Sequence, residues 1–270
     1  MGKCRFVDLS LELKEGLGVE ADEVPPALKK LIEILAPKVK YTDHKTSVPD
    51  ILASFPGTSQ EDLPGGLGWS EETLTVNTHA GTHFDAPYHY APTAEGKPAK
   101  TVDEIPLEWC FNNGVVLDMR HKQAGEVIGV DDLKAALSKI NYSIKPLDIV
   151  MIMTGVDKKW NTLEYWTSYP GTGREGTIWL AEQGVKIVGT DAAGWDRPFQ
   201  YAAAAFRETG NRALIWEGHY AGIDCEYCQM EKLTNLDKLP SHGFQVSCFP
   251  IKILKASAGW VRPVAIIDEG

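Results

Sequence analysis

Long apolar runs are missing from this sequence. No uninterrupted stretch nears the roughly 18 residues that a membrane-crossing helix needs, so no membrane partner is expected. The segment Met1-Gly-Lys-Cys-Arg-Phe-Val-Asp-Leu9 lacks the apolar run of a secretory signal, which makes the cytoplasm the expected compartment. Positive charge is also short. Lys and Arg number 27 against 37 Asp and Glu, a net charge of -10, and without a basic excess to neutralise phosphates a nucleic-acid partner is not expected. Cysteine is scarce, and the five residues Cys4, Cys110, Cys225, Cys228 and Cys248 form an odd, scattered set unlike a disulfide framework. Cys225-Glu-Tyr-Cys228 has C-x-x-C spacing but lacks the second ligand pair of a structural zinc site. Reduced structural thiols are the expectation, with His219 and Glu231 close enough in sequence to keep a metal role open.

There is no internal repeat, low-complexity block or linker that would split the chain, so residues 1–270 read as one domain. What is present is an ordinary globular composition, 43% hydrophobic and 24% charged, able to bury a sizeable core. Strands are expected from Phe6, over Glu72–Thr78, Gly114–Asp118, Pro146–Met153, Val185–Asp191, Val246–Ile253 and Val261–Ile267. Helices are expected over Pro25–Leu35, from Val130 to Leu137, from Thr177 to Gln183 with Gly184 as the stop, and over Tyr201–Glu208, by apolar spacing and by acidic or proline first turns. Thr42–Ser70, rich in Pro, Gly, Ser and Asp, reads as a long irregular segment of the kind that often carries function. Strands and helices interleave, which defines the α/β class.

The chemistry concentrates in one segment. Three of the seven histidines fall within His79-Ala-Gly-Thr-His83-Phe-Asp85-Ala-Pro-Tyr-His89. In a helix His79 and His83 would share a face, but Asp85 would point about 200° around from His83. In an extended chain positions 79, 81, 83 and 85 project to one side, and Gly81 leaves room between the imidazoles. Pro87 and the strand before the motif favour the extended reading. A lone histidine is usually a hydrogen-bonded structural residue, but two imidazoles and a carboxylate on one side make a three-ligand pocket with metal positions left for water. The spacing is not that of the helical H-E-x-x-H zinc sites, so it does not name the metal.

The pattern His79-x-Gly81-Thr82-His83-x-Asp85-x-Pro87-x-His89 resembles the signature of the cyclase family of metal hydrolases, which includes bacterial kynurenine formamidase and isatin hydrolase. Val7-Asp8-Leu9-Ser10, Gly189-Thr190-Asp191, Glu231–Pro240 and Phe249-Pro-Ile-Lys-Ile253 fit as well, so the resemblance spans nearly the whole chain. It implies a swivelling β/β/α domain assembled as a homodimer or homotetramer. It implies that His79, His83 and Asp85 hold a first metal. His219 and Glu231, spaced H-x11-E, match the later pair that adds a second metal with Asp85 as the bridge. His89 matches a histidine credited with proton transfer. Zn²⁺ is the expected ion and Mn²⁺ the alternative, with one or two per subunit.

The implied activity is hydrolysis of a C–N bond in a small molecule, an aryl formamide or a cyclic amide. A metal-dependent cyclase or lyase, and a non-catalytic metal-binding protein using Cys225 and Cys228, are the competing readings. The chain departs from the compact formamidases in the 42–70 loop, the 160–172 segment and Gly194-Trp195-Asp196-Arg197-Pro198, which leaves the substrate open. Trp69 and Trp195, with Phe55, Trp160 and Trp166, are candidate pocket walls. Arg197 is a candidate clamp for a substrate carboxylate, with Asp196 or a surface partner as its competing use.

Overall fold

The computed structural model of the chain describes residues 2–17, 19, 24 and 26–270. Nine strands share one sheet: β1 (Cys4–Asp8), β2 (His83–Asp85), β3 (Phe111–Asp118), β4 (Ile149–Met153), β5 (Ile187–Thr190), β6 (Cys228–Glu231), β7 (Phe244–Ser247), β8 (Ala258–Trp260) and β9 (Val264–Asp268). Their spatial order is β1-β9-β7-β3-β4-β5-β6-β2-β8. The middle four, β3 to β6, run parallel. Parallel neighbours need long crossovers, and these carry the helices Val130–Lys139, Arg174–Glu182 and Phe199–Thr209. The margins are antiparallel, β1, β9 and β7 on one side and β2 and β8 on the other.

Period-2 alternation splits the apolar residues between two cores. Val115, Leu117, Val150, Ile152 and Val188 point to the helices, where Leu133, Leu137 and Leu180 meet them. Val116, Ile149, Met151 and Ile187 point the other way. There Val7 and Ala265 from one margin join Phe84 and Met230 from the other, so the sheet curls round this second core. Every residue of β4 is buried, as a strand covered on both faces must be. This is the α/β class expected from the interleaved elements, in the β/β/α layering that the family resemblance implies. A third cluster packs Ile32 and Leu35 of the helix Pro26–Leu35 against Tyr165, Trp166 and Tyr169.

Several expectations need correction. The helix read from Pro25 is present over Pro26–Leu35, and Pro25 itself lies outside the described residues. The 42–70 segment is not irregular throughout. It holds the helix Val48–Ser54 and sits between the arms of a two-stranded hairpin, Lys38–Thr42 with Glu71–Thr75. The run Val246–Ile253 stops as a strand at Ser247, just before Pro250. The last strand begins at Val264 rather than Val261, because Pro263 has no N–H to give to a ladder. Among the described residues no helix is long and apolar enough to cross a membrane.

Candidate metal centre

The short strand β2 lies between β6 and β8, and its register builds the site. His83 stands opposite Glu231 and Asp85 opposite Gln229. Residues paired directly across antiparallel strands point to the same face, so all four side chains converge. Phe84 and Met230, the pair between them, turn into the core on the other face. His79 does not reach the site along the same strand, which corrects the extended reading. Gly81 takes the left-handed conformation, φ 60°, and turns the chain so that His79 comes back over Asp85. Its Nδ1 lies 2.8 Å from Asp85 Oδ1.

His83 Nδ1 is 2.9 Å from the carbonyl oxygen of Gly81. A carbonyl can only accept, so Nδ1 carries the proton and Nε2 presents a lone pair. That Nε2 is 3.4 Å from Asp85 Oδ1 and 3.6 Å from Glu231 Oε2. Both His83 Nε2 and Asp85 Oδ1 are buried without an aligned hydrogen bond, an unusual state for buried polar atoms. The 2.8 Å approach of His79 to Asp85 Oδ1 therefore brings the two atoms together without hydrogen-bond alignment. Burial pushes the His83 pKa down. Burial would raise that of Asp85, but the surrounding His83, His89 and His79 hold its carboxyl well below the usual range. A neutral imidazole lone pair and an ionised carboxylate are the forms that bind a divalent cation. Ligand atoms of His79, His83 and Asp85 lie within 4.8 Å of one another, and so do those of Asp85, His89 and His219. The donor set fits a metal ion.

The other half of the site is differently finished. Asp196 accepts from the backbone N–H of Gly218 at 2.6 Å and of His219 at 3.1 Å, and also meets His219 Nδ1. The ring is thereby fixed with Nε2 facing inward, the usual arrangement of a carboxylate-supported histidine. Burial opposes a charge on His219, but the Asp196 carboxylate outweighs it and raises the pKa. Gln229 Nε2 is 2.7 Å from His219 Nε2, 2.8 Å from Glu231 Oε1 and 3.2 Å from Asp85 Oδ2. Three potential acceptors round one atom assign it as the amide nitrogen. Glu231 Oε1 also accepts from the backbone N–H of Trp195 at 2.9 Å.

His89 sits in the short helix Pro87–Tyr90, its ring 4.1 Å from that of His79 and 5.6 Å from that of His219, centre to centre. Burial pushes its pKa down to about 3. Above these groups opens a cavity of about 580 Å³, lined by His79, His89, His219 and Glu231 at its polar end and by Leu28, Leu31, Trp166, Phe199 and Trp216 elsewhere.

The five residues read as metal ligands and His89 thus come together. The wall candidates fare less well. Trp195 is 1% exposed and donates its indole N–H to Thr177 Oγ1 at 2.9 Å, so it lies behind the wall. Trp69 is 36% exposed, and neither it nor Phe55 nor Trp160 borders the cavity, whereas Trp166 does. Arg197 lines the cavity with Glu217 as its partner at 3.5 Å, not Asp196. Cys225 packs in the helix-side core and Cys228 in the opposite one, so the two thiols cannot share an ion. Sequence reasoning missed Gln229, which its place two residues before Glu231 on one strand face signals. It also missed Asp196, Lys232 and Trp216. Trp216 takes a left-handed backbone, φ 52°, and stacks on His219 at 4.1 Å.

An α/β sheet that gathers histidines and carboxylates at the foot of one cavity defines a metalloenzyme-like class of protein, and comparison with known proteins gives the family. The Cyclase family model matches residues 7–197, and the chain belongs to this family. It is similar to the kynurenine formamidase of Erythrobacter litoralis, 29% identical over 194 residues that cover 71% of this chain and 74% of that one. It is similar to the isatin hydrolase of Roseibium aggregatum, 24% identical over 73% of this chain and 74% of that one. Among solved structures, isatin hydrolase A from Labrenzia aggregata, bound to benzyl benzoate, superposes with a TM-score of 0.71 at 22% identity, covering 98% of this chain and 94% of that one. That likeness establishes the fold.

Proposed function

We propose that the chain is a metal-dependent hydrolase that cleaves the C–N bond of a small aryl formamide or cyclic amide. The observation that carries this reading is the pair of buried, unpartnered atoms, His83 Nε2 and Asp85 Oδ1, converging with His79 at the foot of an apolar cavity. The names of the related formamidase and isatin hydrolase support the C–N bond as the target. His79, His83 and Asp85 would hold one ion, Zn²⁺ by its affinity for imidazole or Mn²⁺ by its tolerance of carboxylate. Such an ion supplies Lewis acidity and makes water a nucleophile near neutral pH.

The remaining steps belong to the protein. His89 is kept neutral by burial, so a ring nitrogen is free to take the proton of the attacking water. The imidazolium so formed lies near Asp85, whose charge favours it, and it returns the proton to the leaving nitrogen. Asp196 keeps His219 oriented, and Glu231 is held by Gln229 and Trp195. A second ion bounded by Asp85, His219 and Glu231 would have to displace the Gln229 amide nitrogen, so one ion per subunit is the reading we adopt. The apolar walls exclude water from the substrate body and strengthen every charge at the polar end.

The test is turnover of formanilides, lactams and imides by purified protein loaded with Zn²⁺ or Mn²⁺, run in ¹⁸O water. Hydrolysis places solvent oxygen in the acid product. A product free of label would replace the hydrolase reading with a lyase. Bound metal with no turnover of any amide would leave a binding protein.

A further inference from the structure

Lys232 follows Glu231 at the end of β6, in a position that is unfavourable twice over. Its backbone is left-handed, φ 60°, a region that side chains with a Cβ avoid. Its ammonium is buried, the residue being 2% exposed, and a buried charge needs partners. It has few. Of its three N–H donors, one reaches the carbonyl oxygen of His79 at 3.3 Å. Glu231 Oε2 is 3.7 Å away, beyond hydrogen-bond reach, and the other oxygen of that carboxylate is already taken by Trp195 and Gln229.

The surroundings repeat the imbalance. Lys232 Nζ lies 5.9 Å from the ring centre of Trp166, and the Trp166 indole N–H is a buried donor without an acceptor. Arg197 Nε is another. All three residues line the cavity, so this wall presents spare donors and positive charge beside the histidine cluster. Strained backbone and incompletely partnered charge at one residue are the marks of a position kept for a ligand.

We propose that Lys232 receives a carboxylate of the substrate, carried on the same apolar body as the amide to be cleaved. The inference rests on the amide-hydrolase reading and names its substrate class. The ammonium is 3.7 Å from Glu231 Oε2, which is 3.6 Å from His83 Nε2. Two such short steps place the acid close to the amide, as in an ortho-acylaminobenzoate, rather than at the far end of the molecule. The aromatic body then lies against Trp166, Trp216 and Phe199.

The experiment compares 2-formamidobenzoate with formanilide, which differ by the carboxylate alone. Wild type should favour the acid in kcat/KM by roughly 10- to 100-fold, the worth of a charged hydrogen bond, chiefly through KM. Lys232→Met should bring that ratio toward one, and Lys232→Arg should recover part of it. Lys232→Asn, whose side chain tolerates the left-handed backbone, serves the same comparison if the methionine variant fails to fold. A wild-type ratio near one, or a ratio untouched by these substitutions, overturns the proposal. Calorimetric titration with 2-aminobenzoate and aniline separates it from the hydrolase reading. Tighter binding of the acid that depends on Lys232 upholds the proposal even if neither formamide is cleaved, an outcome that removes the hydrolase reading alone. Equal affinities overturn the proposal whatever is cleaved.

Discussion

The two halves of the site hold similar side chains in opposite states. On the β2 side, His83 Nε2 and Asp85 Oδ1 face each other unpaired. On the β6 side, Glu231 Oε1 accepts two N–H groups, and Asp196 anchors His219 through its backbone and its ring. The difference teaches that a cluster of ligand-type residues is not by itself a metal position. What matters is whether the protein already answers the lone pairs. The β2 half leaves them open to a cation. The β6 half answers them with the Gln229 amide and the Trp195 backbone N–H.

The largest effect should come from breaking the open half. His83→Ala should lose its metal on dialysis, with affinity down more than about 100-fold, since even outer partners of ligands cost 10- to 100-fold. Activity should go with it. Stoichiometric metal retained in that variant, by elemental analysis, would place the ion elsewhere.

His89→Ala should be next, retaining metal while kcat falls by about 10²- to 10⁴-fold. The ligand atoms of Asp85, His89 and His219 are near enough to share an ion, so loss of metal in this variant would make His89 a ligand. Full activity would pass the proton-transfer role to another group, with Glu231 the next candidate.

The smallest effect, and the one that sharpens the comparison most, is expected of Gln229→Glu. It swaps the amide donors for a carboxylate and leaves the lone pairs of Asp85, His219 and Glu231 open. Metal content should rise from one ion per subunit toward two. Two ions in wild type, or one in both, would refute the view that the amide occupies the second position.

Much of this was legible in the sequence. The buried parallel strands announced themselves by β-branched runs, as in β4, and His79, His83, Asp85, His219, Glu231 and His89 do meet. What was not legible depended on backbone events. The turn at Gly81 brings His79 over Asp85 by a route that period-2 reasoning does not contain. Trp195 looked like a wall because it sits where the chain departs from the compact formamidases, yet its N–H is used by Thr177 in the core. Lys232 follows Glu231 at the strand end without any spacing of its own, and Gln229, two residues before Glu231, carries only the hint of a shared strand face. Their roles appear only once β6 is laid beside β2.

That juxtaposition also sets the order in which the site can form. The hydrogen bond from Thr82 Oγ1 to the Lys232 carbonyl joins residues 150 apart, and β2 pairs on its other side with β8, later still. His79, His83 and Asp85 therefore leave the ribosome together, long before either neighbouring strand exists. Sheets closed by such distant partners fold slowly, and until β6 and β8 arrive β2 is an unprotected edge that other chains can pair with. Synthesis of this protein carries its point of greatest exposure at the segment on which its chemistry depends.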